Sequence, residues 1–143
     1  MLLDKTHIRT NFDCEEQSLT DYIKTLASQD IKRKLAACFV AIDEELNVIG
    51  YYTLSSHSLG REQIPNKFLN KVPRNYHAPV ILLGRLARDF KAKGRGLGEY
   101  LLLDALIRAY ELSENSLGAM AVVLDPINIL AQDFYRSFGF VLL

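Results

Sequence analysis

At 143 residues, 49% of them hydrophobic, the chain is the size of one domain and has enough apolar mass for a real core. Seventeen Lys and Arg against seventeen Asp and Glu give zero formal net charge, which excludes whole-molecule attraction to nucleic acid or an anionic membrane and leaves any such attraction to local patches. Cys14 and Cys38 fit neither a disulfide framework nor a metal-ligand spacing, and "MLLDKTHIRTNFD" lacks the apolar core of a signal peptide. These features predict one reduced, cytoplasmic domain over residues 1–143, with no metal and no membrane partner.

In chain order, "THIRTNFD" alternates loosely and is compatible with a first strand. In "CEEQSLTDYIKTLASQDIKRK", Leu19, Tyr22, Ile23 and Leu26 recur at helical spacing, so one or two helices are expected over residues 15–34. "LAACFVAID" and "VIGYYTLSSHSL" are rich in β-branched and aromatic residues, and the polar "EELN" between them suits a hairpin. Residues 60–77 carry two prolines and three asparagines and read as a loop around one short helix. "APVILLGRLAR" is a nearly continuous apolar run, the pattern of a strand buried on both faces. Beyond it, Leu97, Leu101, Ala105 and Ala109 predict a long helix to about Ser116, with Asp104, Arg108 and Glu111 on its wet face. "AMAVVLDPI" is a further strand ended by Pro126, and "NILAQDFYRSF" a last short helix stopped by Gly139.

The junction between the buried strand and the long helix, "LGRLARDFKAKGRGLGEYLLLDAL", carries the densest chemistry. Gly94, Gly96 and Gly98 remove side chains where backbone can approach a ligand. They sit at a helix N-terminus, where unpaired amides and the positive end of the helix dipole meet Arg85, Arg88, Lys91, Lys93 and Arg95. Such a turn is either a tight helix entry with a solvated basic face or an anion site. Two phosphate-binding devices fail on spacing: no GxxxxGK run followed by Ser or Thr exists, and counted from Gly94 the GxGxxG fingerprint would need a glycine at Glu99.

The remaining pattern is Q/R-x-x-G-x-G/A, filled by "KGRGLG" from Lys93 to Gly98, with Lys93 where Gln or Arg is usual. "NILAQDFYRSFGF" adds Asn128, Ala131, Tyr135, Gly139 and Phe140 in an order that accompanies it. On these two motifs the sequence resembles the GNAT N-acetyltransferases. The resemblance implies an α/β (α+β) GNAT fold, a mixed, mainly antiparallel sheet flanked by helices with parallel, splayed fourth and fifth strands. It implies that the edge of the fourth strand at Leu86, Ala87 and Arg88 bonds the pantetheine arm of acetyl-CoA. The coenzyme phosphates then fall to Lys93, Gly94, Arg95, Gly96, Leu97 and Gly98, and Asn128 joins the coenzyme site.

"NFDCEEQSLTDYI", "VIGYYTLSS", "LLGRLARD" and "FYRSFGF" extend the resemblance over most of the chain, to the acetyltransferase toxins of toxin–antitoxin modules. That implies acetylation of the amino group of aminoacyl-tRNA, arrest of translation, and a ribbon-helix-helix antitoxin as partner. Family members continue past Gly-Phe into a final strand. A chain stopping at Leu143 is therefore expected to lack it and to leave an open sheet edge that favours a homodimer. Acetylation of a small amine or protein N-terminus, and a non-catalytic acetyl-CoA-binding module, are the alternative readings.

Within the resemblance Tyr135 is the catalytic candidate: a phenol is protonated at neutral pH and can give its proton to a departing thiolate. Without that context it reads as a packed aromatic on an amphipathic helix, and Asn128 as a helix N-cap. His7, His57 and His77 have no ligand-spaced partners and read as structural. "IKRK" at 31–34 with Lys67, Lys71 and Arg74 reads as solvated surface, or as grips for tRNA phosphates.

Overall fold

A computed structural model describes residues 1–124 and 134–135. Helix α1 (Gln17–Asp21) runs through a wide π turn (Tyr22–Leu26) into α2 (Ala27–Lys32). Strands β1 (Ala37–Ile42), β2 (Val48–Leu59) and β3 (Ala78–Arg88) follow, then helix α3 (Leu97–Asn115) and strand β4 (Val122–Leu124). The sheet order is β1-β2-β3-β4, with the first three antiparallel and β4 parallel to β3. A parallel neighbour requires a crossover, and α3 is that crossover.

Strand alternation divides the core in two. Adjacent Tyr51 and Tyr52 point to opposite faces. Tyr51 packs with Phe12, Tyr22, Ile23 and Ala27 beneath α1 and α2, while Tyr52 packs with Leu83, Leu101, Leu102 and Ala105 beneath α3. The Tyr51 hydroxyl donates to the Leu19 carbonyl at 2.6 Å, which ties α1 to the sheet. Leu59, Ile64, Val72 and Val80 form a third cluster under the 60–77 connection, which holds two 3₁₀ turns at Arg61–Gln63 and Asn66–Lys71 where one short helix was expected.

Two expectations change. "THIRTNFD" is not a strand: it meets the sheet through single bridges, Ile8 with Asn47 and, just before it, Leu2 with Phe39. Its alternation reflects the burial of His7 and Phe12 rather than a ladder. Of the wet face expected on α3, Glu111 is exposed, but Asp104 and Arg108 are not on it. Tyr100, Leu103, Ile107 and Tyr110 are exposed, whereas Asp104 and Arg108 are half-buried against β1 and β2. The Tyr52 hydroxyl donates to Asp104 Oδ2 at 2.7 Å and accepts from Arg108 Nε at 3.0 Å, and the guanidinium lies 4.1 Å over the Phe39 ring. A buried phenol needs hydrogen-bond partners, and these two side chains supply them.

Candidate functional site

The glycine turn is anchored before it begins. Asp89 is buried at the end of β3; its Oδ1 accepts from the Lys91 amide at 2.9 Å and its Oδ2 from the Asp13 amide at 3.1 Å. The Phe90 amide donates to the Asp13 carbonyl at 2.8 Å, so the N-terminal segment clamps the entry to the turn. Reading the sequence missed Asp89. Its signal is an Asp ahead of a short helical turn, the residue type that satisfies unpaired amides there.

Gly94 (φ +83°) and Gly96 (φ +73°) adopt left-handed conformations, and a Cβ at either would meet nothing within 4 Å. Glycine is required here by the dihedrals, and the space above the turn is open. Gly96 is the N-cap of α3, and the first helical bond runs from the Tyr100 amide to its carbonyl at 3.0 Å. The amides of Leu97, Gly98 and Glu99 therefore have no intrahelical acceptor. Exposed Lys93 and Arg95 add charge to the positive pole of a 19-residue helix. Phosphate chemistry asks for such donors, such a field and no obstructing side chain, so the residues present fit the pyrophosphate of acetyl-CoA.

The strand edge expected to meet pantetheine is also in place. The β3–β4 ladder covers Ile81, Leu82 and Leu83 against Val122, Val123 and Leu124, and among the described residues it stops there, while β3 continues to Arg88. On the β2 side, Leu86, Ala87 and Arg88 pair with Tyr52, Tyr51 and Gly50. Thr53 pairs with Arg85 and Leu54 with Leu83, so Gly84 is an extra residue, a bulge located where the parallel ladder ends.

Tyr135 is buried among Leu83, Leu101 and Tyr52, and burial pushes its hydroxyl up to about 12. Its neighbour Phe134, edge-on to the Tyr135 ring at 5.4 Å, lies 3.7 Å from where a Gly98 Cβ would stand. Turn, bulged strand and buried phenol thus converge on one side of the sheet. Asn128, with Ala131, Gly139 and Phe140, lies outside the described residues.

Arg88 ends β3 and exposed Lys91 lies in the 3₁₀ turn just ahead of the glycines, while three other cations lie elsewhere. Arg85 is on the opposite face, with its guanidinium 3.8 Å over the Tyr22 ring. Lys67 and Lys71 flank the half-exposed Phe68 ring at 5.0 and 5.8 Å, beyond the other end of β3. His7 is buried, with Nδ1 accepting the Asp4 amide at 3.0 Å, a structural role. Among the described residues there is no cluster of His, Cys, Asp and Glu that could hold a metal ion, and no helix is long and apolar enough to cross a membrane. A pocket of about 170 Å³ between Leu106, Tyr110, Met120 and Val122 lies toward the far end of α3 from the glycine turn.

No protein-family model matches the chain. It is 36% identical over 131 residues to a tRNA-acetylating toxin of Mycobacterium tuberculosis (strain ATCC 25618 / H37Rv), covering 92% of this chain and 76% of that protein. The chain belongs to the tRNA-acetylating toxin family. Two solved toxin structures share its fold. One is AtaT complexed with acetyl-methionyl-tRNAfMet, with a TM-score of 0.89 and 28% identity, covering 99% of this chain and 85% of that one. The other is a mutant AtaT toxin bound to the C-terminus of the antitoxin AtaR and to acetyl-CoA, with a TM-score of 0.84 and 25% identity, covering 100% and 84%. The glycine turn, bulged strand and buried tyrosine are therefore features of a toxin-family member with the GNAT architecture.

Proposed function

We propose that this chain transfers the acetyl group of acetyl-CoA to the amino group of aminoacyl-tRNA and so blocks translation, as the toxin of a toxin–antitoxin module. The observation that carries this reading is the pairing of an anion-ready helix N-terminus with a buried, neutral tyrosine in a chain of the tRNA-acetylating toxin family. Acetyl-CoA supplies an acyl thioester. The amides of Leu97, Gly98 and Glu99, with Lys93 and Arg95, hold its phosphates, and the edge of β3 at Leu86, Ala87 and Arg88 orients its arm. A main-chain amide near Leu86 or Ala87 stabilises negative charge developing on the carbonyl oxygen. The Tyr135 hydroxyl holds the proton that the leaving sulfur takes up, since burial keeps the phenol neutral across the physiological range. Asn128 completes the coenzyme site.

The protein acts in the cytoplasm and is held in check by a ribbon-helix-helix antitoxin; the AtaT–AtaR complex supports the pairing of toxin with antitoxin. Among the described residues, β4 has a neighbour only on its β3 side, and an unpaired edge invites a second copy. A homodimer is expected at micromolar concentration, and a monomeric mass by sedimentation equilibrium refutes it.

The direct test supplies labelled acetyl-CoA with charged tRNA, a polyamine and a peptide in parallel. Label should appear as N-acetyl-aminoacyl-tRNA. Label on the polyamine or peptide alone assigns a different acceptor, and coenzyme binding without transfer reduces the chain to a binding module.

A further inference from the structure

We propose that Arg85 is a substrate-positioning residue that grips the phosphodiester next to the charged 3′ end of the tRNA; this rests on the aminoacyl-tRNA reading. Arg85 is half-buried, and its guanidinium lies 3.8 Å over the Tyr22 ring, yet among the described residues it makes no hydrogen bond and no ion pair. Arg88, at the turn end of β3, is half-buried and likewise unbonded among the described residues, whereas the other half-buried arginines have acceptors, Arg61 the Val72 carbonyl. Arg9 donates to the Ile23 carbonyl and to Ser28 Oγ, and Arg108 bonds Tyr52 and pairs with Asp104. No buried side-chain nitrogen lacks a partner among the described residues, so the unbonded nitrogens of Arg85 reach solvent, and a guanidinium set over a ring keeps its N–H donors free for an anion.

Position selects the anion. Arg85 follows the Gly84 bulge directly, two residues beyond Leu83, the last residue of β3 that pairs with β4 among the described residues. The coenzyme turn and Tyr135 lie on the α3 face, whereas Arg85 and Tyr22 lie on the α1–α2 face. With the acyl donor held at the β3 edge from the α3 face, the acceptor amine comes from the other face, where Arg85 stands. Tyr22 is fixed for this task, since its hydroxyl donates to Asp30 Oδ2 at 2.8 Å and its ring stacks on Tyr51. On an aminoacyl-tRNA the anion closest to the reacting amine is the phosphodiester on the 5′ side of the terminal ribose. That phosphate matches a planar, bidentate donor.

The test compares two acceptors, charged tRNA and an aminoacyl-nucleoside that lacks the 5′ phosphate, with wild type, Arg85→Ala and Arg85→Lys. Arg85→Ala should raise KM for charged tRNA roughly ten- to hundredfold with kcat nearly unchanged. Its KM for the aminoacyl-nucleoside and its acetyl-CoA affinity by calorimetry should stay at wild-type values, and Arg85→Lys should recover part of the loss. Equal loss on both acceptors, or a fall in coenzyme affinity or melting temperature that accounts for the loss, makes Arg85 structural and overturns the proposal. An unchanged KM in an active enzyme overturns it while the aminoacyl-tRNA reading stands. A wild-type chain that acetylates neither acceptor overturns both.

Discussion

Tyr135 tests chemistry apart from binding, because Tyr135→Phe keeps the ring in its apolar site and removes only the hydroxyl. Coenzyme affinity should persist. Turnover should fall roughly a hundred- to ten-thousandfold with little change in KM, as expected when a general acid is lost. Steady-state kinetics on charged tRNA read this directly, and near-normal turnover moves the acid role to another group. With the phenol pushed up to about 12, it stays protonated through neutral pH, so no rise or fall of the rate between pH 6 and pH 9 should vanish in the phenylalanine variant. Tyr135 stood out in the sequence by its place in "NILAQDFYRSFGF"; its burial did not. Arg85 shows the opposite: its place among five cations suggested the turn, but strand alternation put it on the far face, against Tyr22.

At the scale of elements, the strand–turn–helix unit from β3 to α3 carries the site. Gly96 caps α3 in a left-handed conformation that a β-branched residue strongly resists. Gly96→Val should cost roughly 1–2 kcal/mol of stability and abolish measurable coenzyme binding by calorimetry, because the amides that face the phosphates lose their alignment. Since nothing occupies the space within 4 Å of a Cβ there, the loss comes from dihedral strain and from bulk in the ligand's path, not from a clash within the protein. Normal affinity in a folded Gly96→Val protein would disprove the assignment of the turn. Helix α3 itself was legible from Leu97, Leu101, Ala105 and Ala109, all on the sheet side. The turning of Asp104 and Arg108 onto Tyr52 was not, because helical spacing places a side chain on a face but does not reveal a phenol two strands away that needs partners.

For the whole molecule, stability should depend on pH at the alkaline end. Burial pushes the Cys38 thiol up to about 12 from an ordinary value of 9.0, and raises Tyr22, Tyr51 and Tyr52 above the usual tyrosine value. Groups raised on folding contribute stability that is fully present below their unfolded pKa and is lost as pH rises toward the folded one. Denaturant midpoints should be level from pH 7 to pH 9 and fall steeply above it. Between pH 9 and pH 10 the thiol dominates, so Cys38→Ala should flatten that first part of the fall and leave the later, tyrosine part. A midpoint that is level through pH 11 would contradict the burial of these groups.

By itself the sequence determined the α/β class, one helical region before the sheet, the β1–β2 hairpin, the β3–turn–α3 unit and the glycine turn at "KGRGLG". Each follows from local causes: residue periodicity, turn residues and the conformational freedom of glycine. Tertiary structure alone decided that "THIRTNFD" touches the sheet by single bridges, that Gly84 is a bulge in the β2–β3 ladder, and that Asp89 clamps Asp13 to the turn. It also decided that Arg85 faces away from the coenzyme turn without a hydrogen-bond acceptor among the described residues. The physical reason is shared. A bulge, a clamp and a face are relations between segments far apart in the chain, set by register and by the demand of buried polar groups for partners, and neither is encoded in the spacing of any one stretch.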